Sequence, residues 1–320
     1  MRLVITLFAA VLCGAPNAFA QSYPAKPIRL VVPFPPGGLN DVISRLVSQK
    51  VGEIMGQAMV IENRGGATGT IGSGVVAKSA GDGYTLLSSG LNTAVLGPLL
   101  YKNLSYDQFK DLQAIGRVGS VASIVLLHPS VPANSMRELV DLARAKPGSI
   151  NFGSGGAGGS QHVGGELLKA LTGVQMTHIP YSGGGPAMIG LLSGQTQIMI
   201  EPLPSALPQM KSAKVKALAV TLLARLGTLP ELPTVAESGV PNYDMPTWLA
   251  WFAPASTPRE IMTKLNAELA RSLRSPDLRE QMLQRGTDPI VDSLEEANAY
   301  VRSEMARWTT VVRDSGMKVE

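Results

Sequence analysis

Three short glycine-rich segments hold the residue types best suited to grip a small molecule: Pro33-Phe34-Pro35-Pro36-Gly37-Gly38-Leu39-Asn40-Asp41, Gly153-Ser154-Gly155-Gly156-Ala157-Gly158-Gly159-Ser160 and Tyr181-Ser182-Gly183-Gly184-Gly185-Pro186. Each follows an apolar run and precedes a helical pattern. Glycine lets backbone N–H groups turn toward a ligand with no Cβ in the way, and the helix start behind adds about half a positive charge. Each segment is therefore built as an anion cradle. One such turn is an ordinary connector, but three in one chain point to a ligand. Positive φ is expected at Gly38 and Gly184, where a side chain would block the approach.

Charge is scarce around the cradles. Between Pro147 and Ile200 the only full charges are Glu166 and Lys169, and Leu30 to Asn40 has none. An anion held there meets amides, hydroxyls, His162 and water instead of guanidinium forks, so binding should be selective and of modest affinity. Enzymatic chemistry finds little support. Gly153-x-Gly155-x-x-Gly158 matches a dinucleotide fingerprint, but no acid lies about 20 residues further on. No G-x-S-x-G elbow, Walker lysine or H-E-x-x-H occurs. The histidines, His128, His162 and His178, lack metal-ligand spacing. His128 and His178 read as structural; His162, one turn past the second cradle, is either a ligand contact or structural. No catalytic residue, cofactor or metal is expected. With 28 Lys plus Arg against 24 Asp plus Glu, a formal charge of +4 and no basic run, nucleic acid is not an expected partner.

The elements that must position these loops alternate along the chain. At 320 residues with 45% hydrophobic, there is material for one large or two ordinary domains. Apolar runs predict strands at 28–32, 58–62, 84–88, 112–118, 123–128, 150–152, 175–181, 195–200, 214–221 and 247–253, with helices between them and helices only from 259 to about 314. The succession predicts an α/β fold of two lobes, each with a mostly parallel sheet. Lobe 1 is expected at 21–122 and 248–320, and lobe 2 at 123–247. Ser135-Met136-Arg137-Glu138 is a capping box opening one of the helices. Trp248 and Trp251, in the returning strand, are either reporters of lobe closure or core.

The first twenty residues read as an export signal: Arg2, the apolar run Leu3 to Cys13, and the small-x-small site Ala18-Phe19-Ala20. Cleavage after Ala20 would leave Gln21 first and remove Cys13, so the mature chain would have no disulfide. The expected location is the periplasm.

Several stretches, taken in order, resemble the Bug family of periplasmic solute receptors, the extracytoplasmic components of tripartite tricarboxylate transporters. They are Tyr23-Pro24-x-Lys26-Pro27-Ile28, Pro33-Phe34-Pro35-Pro36-Gly37-Gly38-x-x-Asp41, Glu62-Asn63-Arg64 with Gly69-x-Ile71-Gly72, and Asp82-Gly83-Tyr84-Thr85-Leu86. Further on come Gly158-Gly159-Ser160-x-His162, Pro180-Tyr181-x-Gly183-Gly184-Gly185-Pro186-Ala187-Met188, Pro233-Thr234-Val235-Ala236-Glu237-x-Gly239 and Lys264-Leu265-Asn266. The resemblance spans essentially the whole mature chain.

It implies a type II, Venus-flytrap-like periplasmic binding fold that closes on a small carboxylate. In such a fold the loops Phe34 to Asp41 and Tyr181 to Gly185 clamp the ligand through backbone amides and ordered water. It also implies delivery to membrane transport subunits by a monomer; presentation to a sensor is the alternative. The sequence departs from the family pattern at Leu39-Asn40, at Gly190 and at Glu201. The expected ligand-binding set is Phe34, Gly37, Gly38, Leu39, Asn40, Asp41, Ser89, Asn92, Gly156, Ser160, His162, Tyr181, Gly183, Gly184 and Glu201. Two cradles suit a dicarboxylate. Phe34, Leu39, His162 and Tyr181 are expected to form a flat, partly apolar wall that would suit an aromatic diacid such as terephthalate as well as an aliphatic one.

Overall fold

An apolar run with almost no polar alternation needs cover on both faces, and Ile28–Val32 forms such a strand, β1, inside the first sheet. The computed structural model describes residues 23–315, so the expected signal, its cleavage point and Cys13 lie outside the described residues. After β1 come α1 (Leu39–Met55), β2 (Met59–Asn63), α2 (Thr70–Ala77), β3 (Thr85–Gly90), α3 (Gly97–Leu100) and β4 (Leu112–Val121). The chain then builds a second sheet through β5 (Ser123–Leu127), α4 (Met136–Ala145), β6 (Asn151–Ser154), α5 (Ser160–Thr172), β7 (Thr177–Pro180), α6 (Gly184–Leu192), β8 (Ile198–Pro202), α7 (Leu203–Lys211) and β9 (Lys216–Val220). It returns to the first sheet as β10 (Thr247–Pro254), followed by α8 (Arg259–Leu273), α9 (Pro276–Gln284), β11 (Thr287–Pro289) and α10 (Leu294–Ser315). The result is a two-domain α/β fold with strand orders β11-β4-β10-β3-β1-β2 and β7-β6-β8-β5-β9.

Four strands of each sheet run in one direction, as the alternation predicts, and β10 and β11 in the first sheet and β5 in the second run against them. β1 lies parallel to β2 and β3, and β6 parallel to β7 and β8. β10 runs antiparallel to β3 and β4, as β5 does to β8 and β9. The reason is the route of the chain. A strand reached through a crossover helix repeats the direction of its neighbour, whereas β5 and β10 enter their sheets directly from the other one and run the opposite way. The helix-only reading of the C-terminal region needs correction. Gly286, at φ 67°, ends α9, and Thr287–Pro289 then pairs antiparallel with β4. Three residues containing a proline carry no period for sequence to show.

Local signals explain the helices. α1 turns Ile43, Val47 and Val51 onto Ile28, Leu30 and Leu86, and stops at Gly56 in the left-handed region. In α4 the Glu138 amide donates to Ser135 Oγ at 3.2 Å, and the Glu138 carboxylate accepts from the Asn134 amide at 2.7 Å, which is a capping box shifted by one residue. One apolar cluster runs from Val31 and Leu87 of the first sheet through Trp248 and Ala250 to Val125 and Phe152 of the second. Trp248 and Trp251 are both core, each 1% exposed, and Trp248 Nε1 donates to Glu304 of α10 at 3.0 Å. α10 packs on β4 and also touches α5.

β3 and β10 leave no room for a side chain at Gly90, where an added Cβ would lie 2.1 Å from the Trp248 carbonyl oxygen. Backbone cannot give way as a flexible side chain would. Gly90→Ala is expected to lower stability by about 1–3 kcal/mol in urea unfolding, from overpacking. An unchanged midpoint would mean that this contact is looser than the geometry indicates.

Candidate ligand-binding site

The three cradle segments leave the C-terminal ends of β1, β6 and β7, the place where open α/β sheets present their ligand loops. They meet, together with the segments after β2, β3 and β8, around a cavity of about 1170 Å³ between the two sheets.

The first cradle is held from behind. Gly37 has φ 85° and its amide donates to Asp41 Oδ2 at 2.9 Å; Asn63 Nδ2 donates to Asp41 Oδ1 at 2.9 Å and to the Phe34 carbonyl at 3.0 Å. Arg45 Nε adds a third donor to Asp41 at 3.0 Å. Burial works to raise the Asp41 carboxyl, but the hydrogen bonds from Arg45, the Gly37 amide and Asn63 outweigh it and hold the group below the usual carboxylate range. Asn40 lines the cavity with its Oδ1 already taken by Ser44 Oγ at 3.1 Å and Ser88 Oγ at 2.7 Å, which leaves its Nδ2 as the end able to donate to a ligand.

The second and third cradles are packed backbone to backbone. A Cβ on Gly155 would lie 2.7 Å from the Gly184 amide nitrogen, so only glycine permits this approach. Ser154 Oγ donates to the Gly156 carbonyl at 3.0 Å and lies 2.6 Å from His178 Nε2. His162 Nδ1 accepts from the Gly158 amide at 3.0 Å and stacks on His178 with ring centres 3.8 Å apart. An acceptor nitrogen must be unprotonated. Burial drives both imidazoles toward the neutral form, and for His178, next to His162, it does so down to about 4. Two hydrogen bonds cross the crevice: the Ser160 amide to Asn92 Oδ1 at 2.9 Å and Thr68 Oγ1 to the Ala157 carbonyl at 3.4 Å.

Of the expected residues, Phe34, Gly37, Gly38, Leu39, Asn40, Asn92, Gly156, Ser160, Gly183, Gly184 and Glu201 line the cavity. Asp41, Ser89, His162 and Tyr181 stand behind its wall. Ser89 is fully buried under β10, and Tyr181 turns away to lie over Gly190 and donate to Gln195 Oε1 at 3.3 Å. Gly190 is explained by that ring, because a Cβ there would sit 2.2 Å from the phenol oxygen. The expected flat wall is thereby corrected. His162 and Tyr181 are not part of it; Tyr101, Met188, Ile189 and Leu192 take their place beside Phe34 and Leu39.

The conformational expectation also shifts by one residue. Gly38 is extended at φ −77° and Gly184 is helical, while the strained positions are Gly37 and Gly183, at φ 85° and 125°. Sequence reading missed Gly66, Ala67 and Thr68, which line the cavity in a tight turn with φ of 124°, 46° and 53°. Alanine and threonine do not advertise positive φ, so no local signal marks that turn. Gln161 and Ser205 were missed as well; both line the cavity and donate to Glu201. Among the described residues no group of three or more His, Cys, Asp or Glu could hold a metal, and no helix is long and apolar enough to cross a membrane.

Residues 43–317 match the family model of the tripartite tricarboxylate transporter family receptor. The chain belongs to this family. The receptor is 35% identical over 318 residues to Protein BugT of Bordetella pertussis, covering 99% of this chain and 98% of BugT. Among solved structures, the periplasmic binding protein BugD superposes with a TM-score of 0.85 at 33% identity, covering 93% of this chain and 100% of BugD. An R. palustris protein with adipate gives 0.88 at 33% identity, covering 92% of this chain and 99% of its own. MatC from Rhodopseudomonas palustris, with bound malate, gives 0.81 at 31% identity, covering 91% and 100%. The tripartite tricarboxylate receptor described here is thus a periplasmic solute-binding protein and not an enzyme.

Two outcomes are expected for the receptor without ligand. Gly37→Ala and Gly183→Ala should each cost about 1–2 kcal/mol, because the residue is held at positive φ. Gly38→Ala and Gly184→Ala should stay within about 0.5 kcal/mol of the parent, since a Cβ there meets nothing nearer than 3.7 Å. Urea melts of the four variants decide between these assignments. The second outcome concerns pH. Between pH 6.5 and about 4 the unfolded chain takes up a proton that folded His178 refuses. Its contribution is full above pH 6.5 and is lost as the pH falls toward 4. The parent should therefore lose more melting temperature over that window than His178→Asn does, and parallel losses would refute a neutral, buried His178.

Proposed function

We propose that this receptor captures a small dicarboxylate between its lobes and delivers it to the membrane subunits of a tripartite transporter. The observation that supports this reading is the pair of glycine cradles at the starts of α1 and α6, one from each sheet, in a cavity that no Arg or Lys among the described residues lines. Amides and helix starts satisfy a carboxylate, whereas phosphate-rich ligands ordinarily draw basic side chains. Similarity to proteins solved with adipate and with malate supports the class. Phe34, Leu39 and Tyr101 in the lining leave room for an aromatic diacid such as terephthalate beside the aliphatic ones.

In this reading the direct contacts come from Gly38, Asn40, Gly183 and Gly184, while Gly37 shapes the turn with its amide on Asp41. Asp41, Ser89, His162 and Tyr181 support the loops from behind. Residues 23–122 with 248–315 form one jaw and 123–247 the other, hinged where β4 passes into β5 and where the chain returns to β10. The receptor works as a monomer, exported with cleavage after Ala20.

A titration with adipate, malate, terephthalate and the terephthalate monoamide tests the two-cradle model. A diacid at 100 times its dissociation constant should add about 2.7 kcal/mol of stability, while the monoamide should bind at least about tenfold more weakly. Equal binding of diacid and monoamide would remove the second carboxylate from the model. Gly38→Val and Gly184→Val should each lower diacid affinity by about tenfold or more, since their side chains enter the cavity without straining the backbone. Small-angle scattering should show a smaller radius of gyration with saturating ligand, and identical profiles would argue against jaw closure.

A further inference from the structure

Among the described residues that line the cavity, Glu201 alone carries a formal charge. Its side chain ends β8, is 4% exposed, and accepts from Gln161 Nε2 and Ser205 Oγ, one donor to each carboxylate oxygen. A Cβ built on Gly184 would lie 3.9 Å from Glu201 Oε1. The carboxyl therefore stands at the mouth of the α6 cradle, where the second acid group of a diacid would rest. No cation faces it from the packed elements. β5 (Ser123–Leu127), β6 (Asn151–Ser154) and α6 (Gly184–Leu192) contain no titratable residue. On α5, His162 accepts from Gly158, and Lys169 pairs with Glu166 at 2.8 Å; on α7, Lys211 is the last residue and is exposed.

Two facing carboxylates, one of them the buried Glu201, cannot both stay ionised at low cost. We propose that one proton lies between Glu201 and the ligand group at the α6 cradle, so that this end of the site accepts a carboxylic acid or a hydroxyl and turns away a bare carboxylate. The inference rests on the dicarboxylate reading above. With a plain diacid, one of the facing carboxyls keeps its proton and donates it to the other, and that proton is taken from solvent whenever both partners were ionised beforehand. With a hydroxy acid, the ligand O–H donates to ionised Glu201 and no proton is taken up. Burial raises the Glu201 carboxyl to about 7 although Ser205 and Gln161 donate to it, which places the transition within reach of a binding experiment.

Calorimetric titration with succinate and malate, C4 diacids that differ by one hydroxyl, tests the proposal from pH 6 to pH 9 in two buffers of different protonation enthalpy. The parent should bind succinate with uptake of one proton above pH 7, its dissociation constant rising by about tenfold per pH unit, and malate with a shallower rise. Glu201→Gln supplies an N–H donor at every pH. It should flatten the succinate profile and bind succinate about tenfold more tightly than the parent at pH 8. A residue that only ties α5 to α7 would change the melting temperature and leave the slope intact. Succinate binding by the parent without proton uptake overturns the proposal with no variant needed. If succinate, malate, adipate and terephthalate all fail to bind at every pH, the dicarboxylate reading falls and this inference with it.

Discussion

A helix start leaves its first backbone amides without intrahelical acceptors, and the structure treats those amides in two ways according to where the helix begins. α4 begins away from the crevice and closes its first turn with Ser135 and Glu138. α1, α5 and α6 begin at the crevice, and their caps are Gly38, Gly159 and Gly183, with no side-chain acceptor on any of them. At α1 and α6 the first amides are thus left to the cavity, whereas the Ser160 amide that opens α5 is taken by Asn92 Oδ1 from the facing segment. The fold depends on bringing these three helix starts together, and the strand ends of both sheets do so.

Holding such starts open has a structural cost that is met locally. Gly155 allows the second and third cradles to touch through their backbones, and Gly90 lets β3 approach β10 at the cavity floor. Behind the first cradle, Asp41 accepts the Gly37 amide while Arg45 and Asn63 neutralise and orient it. Behind the second, neutral His162 accepts the Gly158 amide, and His178 stacks on it and reaches Ser154. These polar side chains hold the loops from behind the residues that line the cavity.

The electrostatics follow from the same plan. Among the described residues no cationic side chain lines the cavity, so in the proposed reading the attraction for an acid would come from oriented amides, and selectivity from spacing and the few polar side chains present. The positive charge of Arg45 is spent on Asp41 behind the wall. Glu201 is the exception that gives the second lobe's end of the cavity a character of its own.

Much of this was legible in the chain because it is local. Apolar runs marked ten of the strands, capping chemistry marked α4, and the glycine segments marked all three cradles, since strand period, cap and turn residues are neighbours in sequence. What only the tertiary structure decided is non-local. The direction of β5 and β10 depends on which sheet the chain comes from, and β11 exists because β4 offers it an edge. Tyr181 and His162, adjacent to cradles in sequence, turn away from the cavity because Gly190 and His178 receive them, while Thr68 and Tyr101 arrive from other segments. Residue type and spacing determine that a backbone cradle forms; which side chains face its ligand is settled by packing between segments far apart in the chain, and that packing leaves no period to read.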